Sequence, residues 1–199
     1  MPGFLEDYAF FVWGLIELYE VTLDAAHLDE ALRLTREMLC LFGSPDRAGL
    51  FEAGADAEQL PVRSRSAYDG VIPSGNSVAA MNLVRLGRIL DDAELLAEGE
   101  AILRAFMGGA MRQPAGYLYF LAAYDFSLGP EVEVTLAGPA DADETRRMLR
   151  AVKGRFIPNL VLRHEAGEVA TVARVCAKGV CRLPAETAEE LERLLDQVL

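Results

Sequence analysis

Three carboxylates set among tyrosines, serines and an asparagine are the residues of this 199-residue chain best suited to chemistry. Glu6-Asp7-Tyr8 stands at the start of one apolar run, and Tyr68-Asp69-Gly70-Val71-Ile72-Pro73-Ser74-Gly75-Asn76-Ser77 leads into another. Glycoside hydrolysis needs two carboxylates about 5–10 Å apart across the scissile bond. Glu6 or Asp7 with Asp69 could supply such a pair, which makes these three the catalytic candidates. Tyr8, Tyr68 and Tyr117 could stack on pyranose faces, and Ser74 and Asn76 offer polar groups to a sugar-like ligand. A structural reading stands beside this one. The acids could cap helices, Pro73-Ser74-Gly75-Asn76 could shape a turn, and Arg63 and Arg65 could pair with the acids as a structural network.

Other chemistries are less well served. Cys176 and Cys181 have four residues between them, whereas the thioredoxin arrangement has two, at a helix N-terminus that lowers the first thiol's pKa. The spacing fits a strand, a turn at Lys178-Gly179 and a return strand, so the thiols could face each other. Structural cysteines are favoured, with a reversible disulfide or a metal contact as the alternatives. Cys40 sits on the apolar side of its helix and reads as core. A metal site needs more ligands than these, and none is expected. His27 opens an outer helix and His164 lies late in the chain, both away from the polar cluster, which points to surface or loop roles. No glycine-rich phosphate motif occurs, and Pro139 removes a donor that a phosphate would want in Leu136-Ala137-Gly138-Pro139. No cofactor is expected.

The elements that must position the cluster are helical over the first two thirds. Leu5–Thr22 is apolar on most sides and predicts a helix buried on most sides, whereas Ala26–Phe42 carries one apolar stripe. The pair recurs as Ser77–Leu90 and Ala93–Met107, with Leu23-Asp24 and Leu90-Asp91 in matching turns 67 residues apart. Tyr117–Leu128 predicts a third buried helix. These read as αα-hairpins with inner and outer helices, a weak internal repeat, with a plain helical bundle as the alternative. Alternate helices run the same way, so the N-termini of the inner helices, and the polar residues before them, should share one end. Helix N-termini carry unpaired N–H groups that suit anionic or hydroxyl-rich ligands. The loop from Gly43 to Pro73, about thirty residues, is long for a bundle and converges on that end.

Composition changes at Gly129-Pro130. Glu131–Leu136 alternates as a strand, Asp141–Phe156 predicts a helix opened by Asp141, Leu160–Leu162 and Val169–Val175 read as strands, and Thr187–Leu199 closes as a helix with Thr187 and Glu190 in a capping box. The fold class expected is mainly α with a small α/β part, divided into helical hairpins over 1–129 and an α/β subdomain over 130–199. The net charge of −12 excludes nonspecific nucleic-acid binding. The run Ala9–Ile16 is too short and too closely flanked by acids to span a membrane. With no signal peptide and three cysteines, a cytoplasmic location is expected.

Leu5-Glu6-Asp7-Tyr8-Ala9, then Tyr68-Asp69-Gly70 running into Pro73-Ser74-Gly75-Asn76-Ser77, and later Val175-Cys176 with Cys181-Arg182-Leu183-Pro184, resemble the C-terminal part of the thioredoxin-domain-containing proteins related to spermatogenesis-associated proteins. The resemblance covers essentially the whole chain. It implies a partial α/α toroid of the six-hairpin glycosidase type, similar to N-acylglucosamine 2-epimerases, preceded in longer members by a thioredoxin-like domain. On that footing the chain is a fragment of a carbohydrate-directed protein, inactive alone, or an interaction scaffold. Its first hairpin would then leave an apolar flank uncovered, and self-association is expected there.

Overall fold

The computed structural model describes residues 3–58, 62–129, 132–167 and 170–198. The chain divides into two compact units, one of residues 1–19 and 25–128 and one of residues 20–24 and 129–199. No helix among the described residues is long and apolar enough to cross a membrane.

The first unit is helical. It contains α1 (Leu5–Thr22, whose last three residues belong to the second unit), α2 (Ala25–Phe42), α3 (Gly75–Leu90), α4 (Ala93–Arg112), a 3-10 turn (Pro114–Gly116) and α5 (Leu118–Ser127). Two hairpins share one turn feature. Leu23 follows α1 and Asp91 follows α3, each in the left-handed region at φ 58° and 57°. The structural offset is therefore 68 residues, one more than the sequence pairing predicts. Asp91 suits that conformation, whereas a leucine there costs about 1–2 kcal/mol. The Leu23 side chain offsets the cost by lying in the core of the second unit.

Helix α3 is the inner helix, with twelve of its sixteen residues buried, including Val78, Leu83 and Leu86. Helix α1 departs from expectation. Leu5, Ala9, Val12 and Ile16 are buried, but Phe11 and Leu18 are 61% and 46% exposed, so one apolar side faces solvent. Helix α4 runs to Arg112, five residues past the predicted end, through Gly108-Gly109. Gly109 serves close approach: a Cβ there would lie 2.6 Å from the Tyr117 hydroxyl. The helix stops at Gln113 because Pro114 disfavours helical geometry in the residue before it.

The second unit orders its strands β2-β1-β3-β4. Strand β1 (Val132–Ala137) pairs parallel with β2 (Leu160–Glu165) and antiparallel with β3 (Val172–Ala177), and β3 pairs with the two-residue β4 (Val180–Cys181). Val132, Val134 and Leu136 alternate inward, toward Met148 and Val152 of α6 (Asp143–Lys153) and Leu191 and Leu195 of α7 (Ala188–Val198). Helix α6 begins two residues after Asp141. Ala142 occupies its cap position, and the Thr145 hydroxyl instead donates to the Pro139 carbonyl at 2.7 Å. At α7, Thr187 accepts from the Glu190 N–H at 3.2 Å, while the Glu190 carboxylate accepts from the Glu186 N–H at 2.9 Å. The predicted strand and helix ends at Glu131, Val169 and Leu199 lie outside the described residues.

Candidate functional site

Helices α1, α3 and α5 begin at the same end of the first unit, and Asp69 joins two of them. Its Oδ1 accepts from the Ser74 N–H at 2.9 Å, and its Oδ2 accepts from the N–H groups of Tyr119 and Phe120 at 2.9 and 3.0 Å. Helix α5 receives no capping bond from its own cap residue, Tyr117, so the carboxylate of a residue fifty positions earlier satisfies its first free donors. Ser74 caps α3, with Oγ accepting from the Ser77 N–H at 3.2 Å. Helix α1 reaches the same place through Leu5 and Glu6, whose side chains lie about 3 Å from where a Cβ on Gly75 would stand.

Asn76 is the anchor of the long loop and is fully buried. Its Oδ1 accepts from the Leu50 N–H at 2.7 Å, and its Nδ2 donates to the Leu50 and Ser66 carbonyls, each at 2.9 Å. The side chain thereby mimics a strand neighbour for Leu50. The loop is pinned further by the Leu5 N–H donating to the Glu52 carbonyl at 3.0 Å and the Glu52 N–H donating to the Ser64 carbonyl at 2.9 Å. Arg63 and Arg65 serve the same loop. Arg63 donates to the carbonyls of Ala53 and Leu41, Arg65 pairs with Asp46 at 2.7 Å, and both stack over Phe51. The partners described for these arginines thus lie within the loop and α2, and Arg65 holds the Asp46 carboxyl well below the usual carboxylate range.

The remaining candidates divide. Asp7 accepts from the Phe4 N–H at 2.8 Å and closes the first turn of α1. Tyr8 donates to Glu37 at 2.9 Å and packs edge-on against Phe42, and the hydrogen bond to Glu37 raises its pKa. Tyr117 lies between Tyr68 and Phe120, with ring centroids 5.7 and 5.9 Å away. Tyr119, beside Trp13 at 5.1 Å, is pushed up to about 12 by burial. Glu6, Tyr68 and Ser74 alone among the candidates line a common cleft of about 260 Å³. Its wall also includes Glu52, Ser66 and the turn Gly70–Pro73, and none of its described lining residues is basic. Glu52 and Ser66 carry no signal in the sequence, because the long loop delivers them through pairing with residues far away in the chain.

No family model matches the chain. Among curated proteins it is 35% identical to spermatogenesis-associated protein 20 of Mus musculus over 80% of its length, and 30% identical to the Homo sapiens protein of that name over 97%. The chain is homologous to spermatogenesis-associated protein 20. It is also 25% identical to an uncharacterized protein of Caenorhabditis elegans over 98% of its length. The chain spans 20% and 27% of the lengths of the two mammalian relatives. Similarity to spermatogenesis-associated protein 20 extends through both units, since the human alignment takes in nearly every residue.

Elsewhere in this homologue of spermatogenesis-associated protein 20, His164 bonds the Gly138 carbonyl at 2.9 Å from β2, and His27 sits in the first turn of α2. Cys40 is exposed, which corrects the expectation that it is core. The buried positions of α2 are Leu28, Ala31, Thr35, Met38 and Phe42. Cys40 lies two residues from either end of the last pair, about 200° around the helix. Cys176 and Cys181 are joined in a disulfide. Among the described residues no cluster of ligands could hold a metal ion.

Proposed function

We propose that the chain forms part of a carbohydrate-directed helical-hairpin protein of the six-hairpin glycosidase type, and that the cleft of Glu6, Glu52, Ser66, Tyr68 and Ser74 receives the sugar. The observation that carries this reading is the lining itself: two carboxylates, two serines and a half-exposed tyrosine ring around one cleft. Carboxylates and hydroxyls can bond sugar hydroxyls, and an aromatic ring can cover the apolar face of a pyranose. Asp69 spends both oxygens on backbone donors. Any acid–base pair in this reading is therefore Glu6 with Glu52, and Asp69 is structural. Saturation-transfer NMR with neutral mono- and disaccharides tests binding. Signals are expected from the wild-type chain and lost in Tyr68→Ala and Glu52→Gln at a melting temperature within about 2 °C of the wild type. No transfer from any sugar, or equal transfer in the variants, sinks the reading.

A scaffold role is the second reading, and one observation favours it. Phe11 and Leu18 lie seven residues apart along one side of α1, both exposed, with exposed Gly14 between them and exposed Phe4 just before the helix. Such a stripe suits a second helix, and a second copy of the chain is its simplest partner. Sedimentation is expected to show a concentration-dependent dimer that the double substitution F11E/L18E converts to monomer. A wild-type chain that stays monomeric at high concentration counts against the scaffold.

A further inference from the structure

We propose that Cys176–Cys181 is a reversible thiol-exchange site, opened by a dithiol reductant without unfolding the sheet that carries it. The two cysteines are direct cross-strand partners on β3 and β4. The hairpin has ties besides their bond. Lys178 and Gly179, both at positive φ (50° and 77°), form the two-residue turn that antiparallel strands prefer, and Ala177 pairs with Val180 beside it. The base is held separately, by Ala173 and Ala185 exchanging both backbone hydrogen bonds at 2.8 and 2.9 Å and by the Arg182 N–H donating to Val175 at 2.9 Å. A bond that encloses only the four residues of so tight a turn removes less freedom from the unfolded chain than one that closes a longer loop.

The pair is also accessible. Cys181 is exposed and Cys176 half-buried, and Val180 and Leu183, close to Cys181 in the chain, are exposed too. Lys178 opens the turn between the two cysteines, and Glu133 of β1 is the register partner of Cys176. A reductant thiolate attacks Cys181 Sγ, the Sγ–Sγ bond breaks, and its electron pair leaves on Cys176 Sγ, which takes a proton from water. The second thiol of the reductant, deprotonated, then displaces Cys181 from the mixed disulfide, and that sulfur is protonated in turn. Two electrons and two protons pass to the protein, and the reductant becomes a disulfide.

The test uses the chain with Cys40→Ser, so that only the pair reports. Low-millimolar dithiothreitol under native conditions, followed by iodoacetamide, is expected to add two alkyl groups by mass. Without alkylation, oxidised glutathione is expected to restore the bond. Hydrogen exchange should quicken over residues 176–184 and stay unchanged over 132–137. The C176S/C181S protein should fold with a melting temperature less than about 8 °C lower. Alkylation only in denaturant, failure of the bond to re-form, or unfolding of either reduced or substituted protein overturns the proposal.

Discussion

Asn76→Ala is expected to lower the stability of the helical unit by about 3–5 kcal/mol, with a melting temperature roughly 10 °C lower. The amide is fully buried and makes three hydrogen bonds, two of them to Leu50, itself 4% exposed. Alanine leaves the Leu50 N–H and C=O and the Ser66 C=O without that partner, and each buried polar group left bare costs about 1–3 kcal/mol. Asn76→Asp is expected to be at least as damaging at neutral pH. Its carboxylate can still accept from Leu50 N–H but must face two carbonyl oxygens without water. Burial and those oxygens raise the folded pKa of the introduced acid above its unfolded value, so the neutral form is favoured. Part of the lost stability should therefore return as pH falls through that raised pKa, where the acid can donate to one carbonyl. Thermal melts followed by circular dichroism check both variants, and a loss under about 1 kcal/mol for the alanine would contradict the anchor role. Because the same loop delivers Glu52 and Ser66 to the cleft, hydrogen exchange over 44–58 should also quicken well below the melting temperature.

The distribution of legible and hidden features follows from what a one-dimensional pattern can report. The helices of both hairpins and the alternation of β1 are local periodicities. The gathering of Glu6, Asp69 and Ser74 at one end follows from them, since alternate helices run the same way. Periodicity counts apolar surface but does not say what covers it. Phe11 and Leu18 have the same residue types as the buried Phe42 and Leu5, and only the packed structure separates them. At Cys40 the spacing says more than the residue type does, because an outward position follows from the places of Met38 and Phe42 on the helix. Asp69 and Glu52 mark the real limit. Their partners lie on Tyr119 and Phe120 in one case and on Leu5 and Ser64 in the other, as backbone groups that any residue type could offer.

Asp69→Asn separates the two roles that the carboxylate could serve, and a loss of about 2–4 kcal/mol is expected. Three backbone N–H groups converge on two oxygens, and hydrogen bonds to a charged acceptor are about twice as strong as neutral ones. Asparagine keeps the shape but supplies one oxygen. If that oxygen serves Tyr119 and Phe120, the amide NH2 is turned toward the Ser74 N–H, a donor against a donor. The opposite orientation leaves two donors of α5 bare instead of one of α3. Neither orientation restores the charge. Glutamate is no rescue, because its extra methylene cannot reach Ser74, Tyr119 and Phe120 together without moving the turn at Gly70. The consequence should be visible locally, as faster hydrogen exchange at the first turns of α3 and α5, with the sheet unit unchanged. Sugar binding, where measured below the transition, should then fall no further than the folded fraction does. A D69N protein with wild-type stability and abolished binding would reverse the assignment, because only a group facing ligand can lose function without loosening the helices it ties.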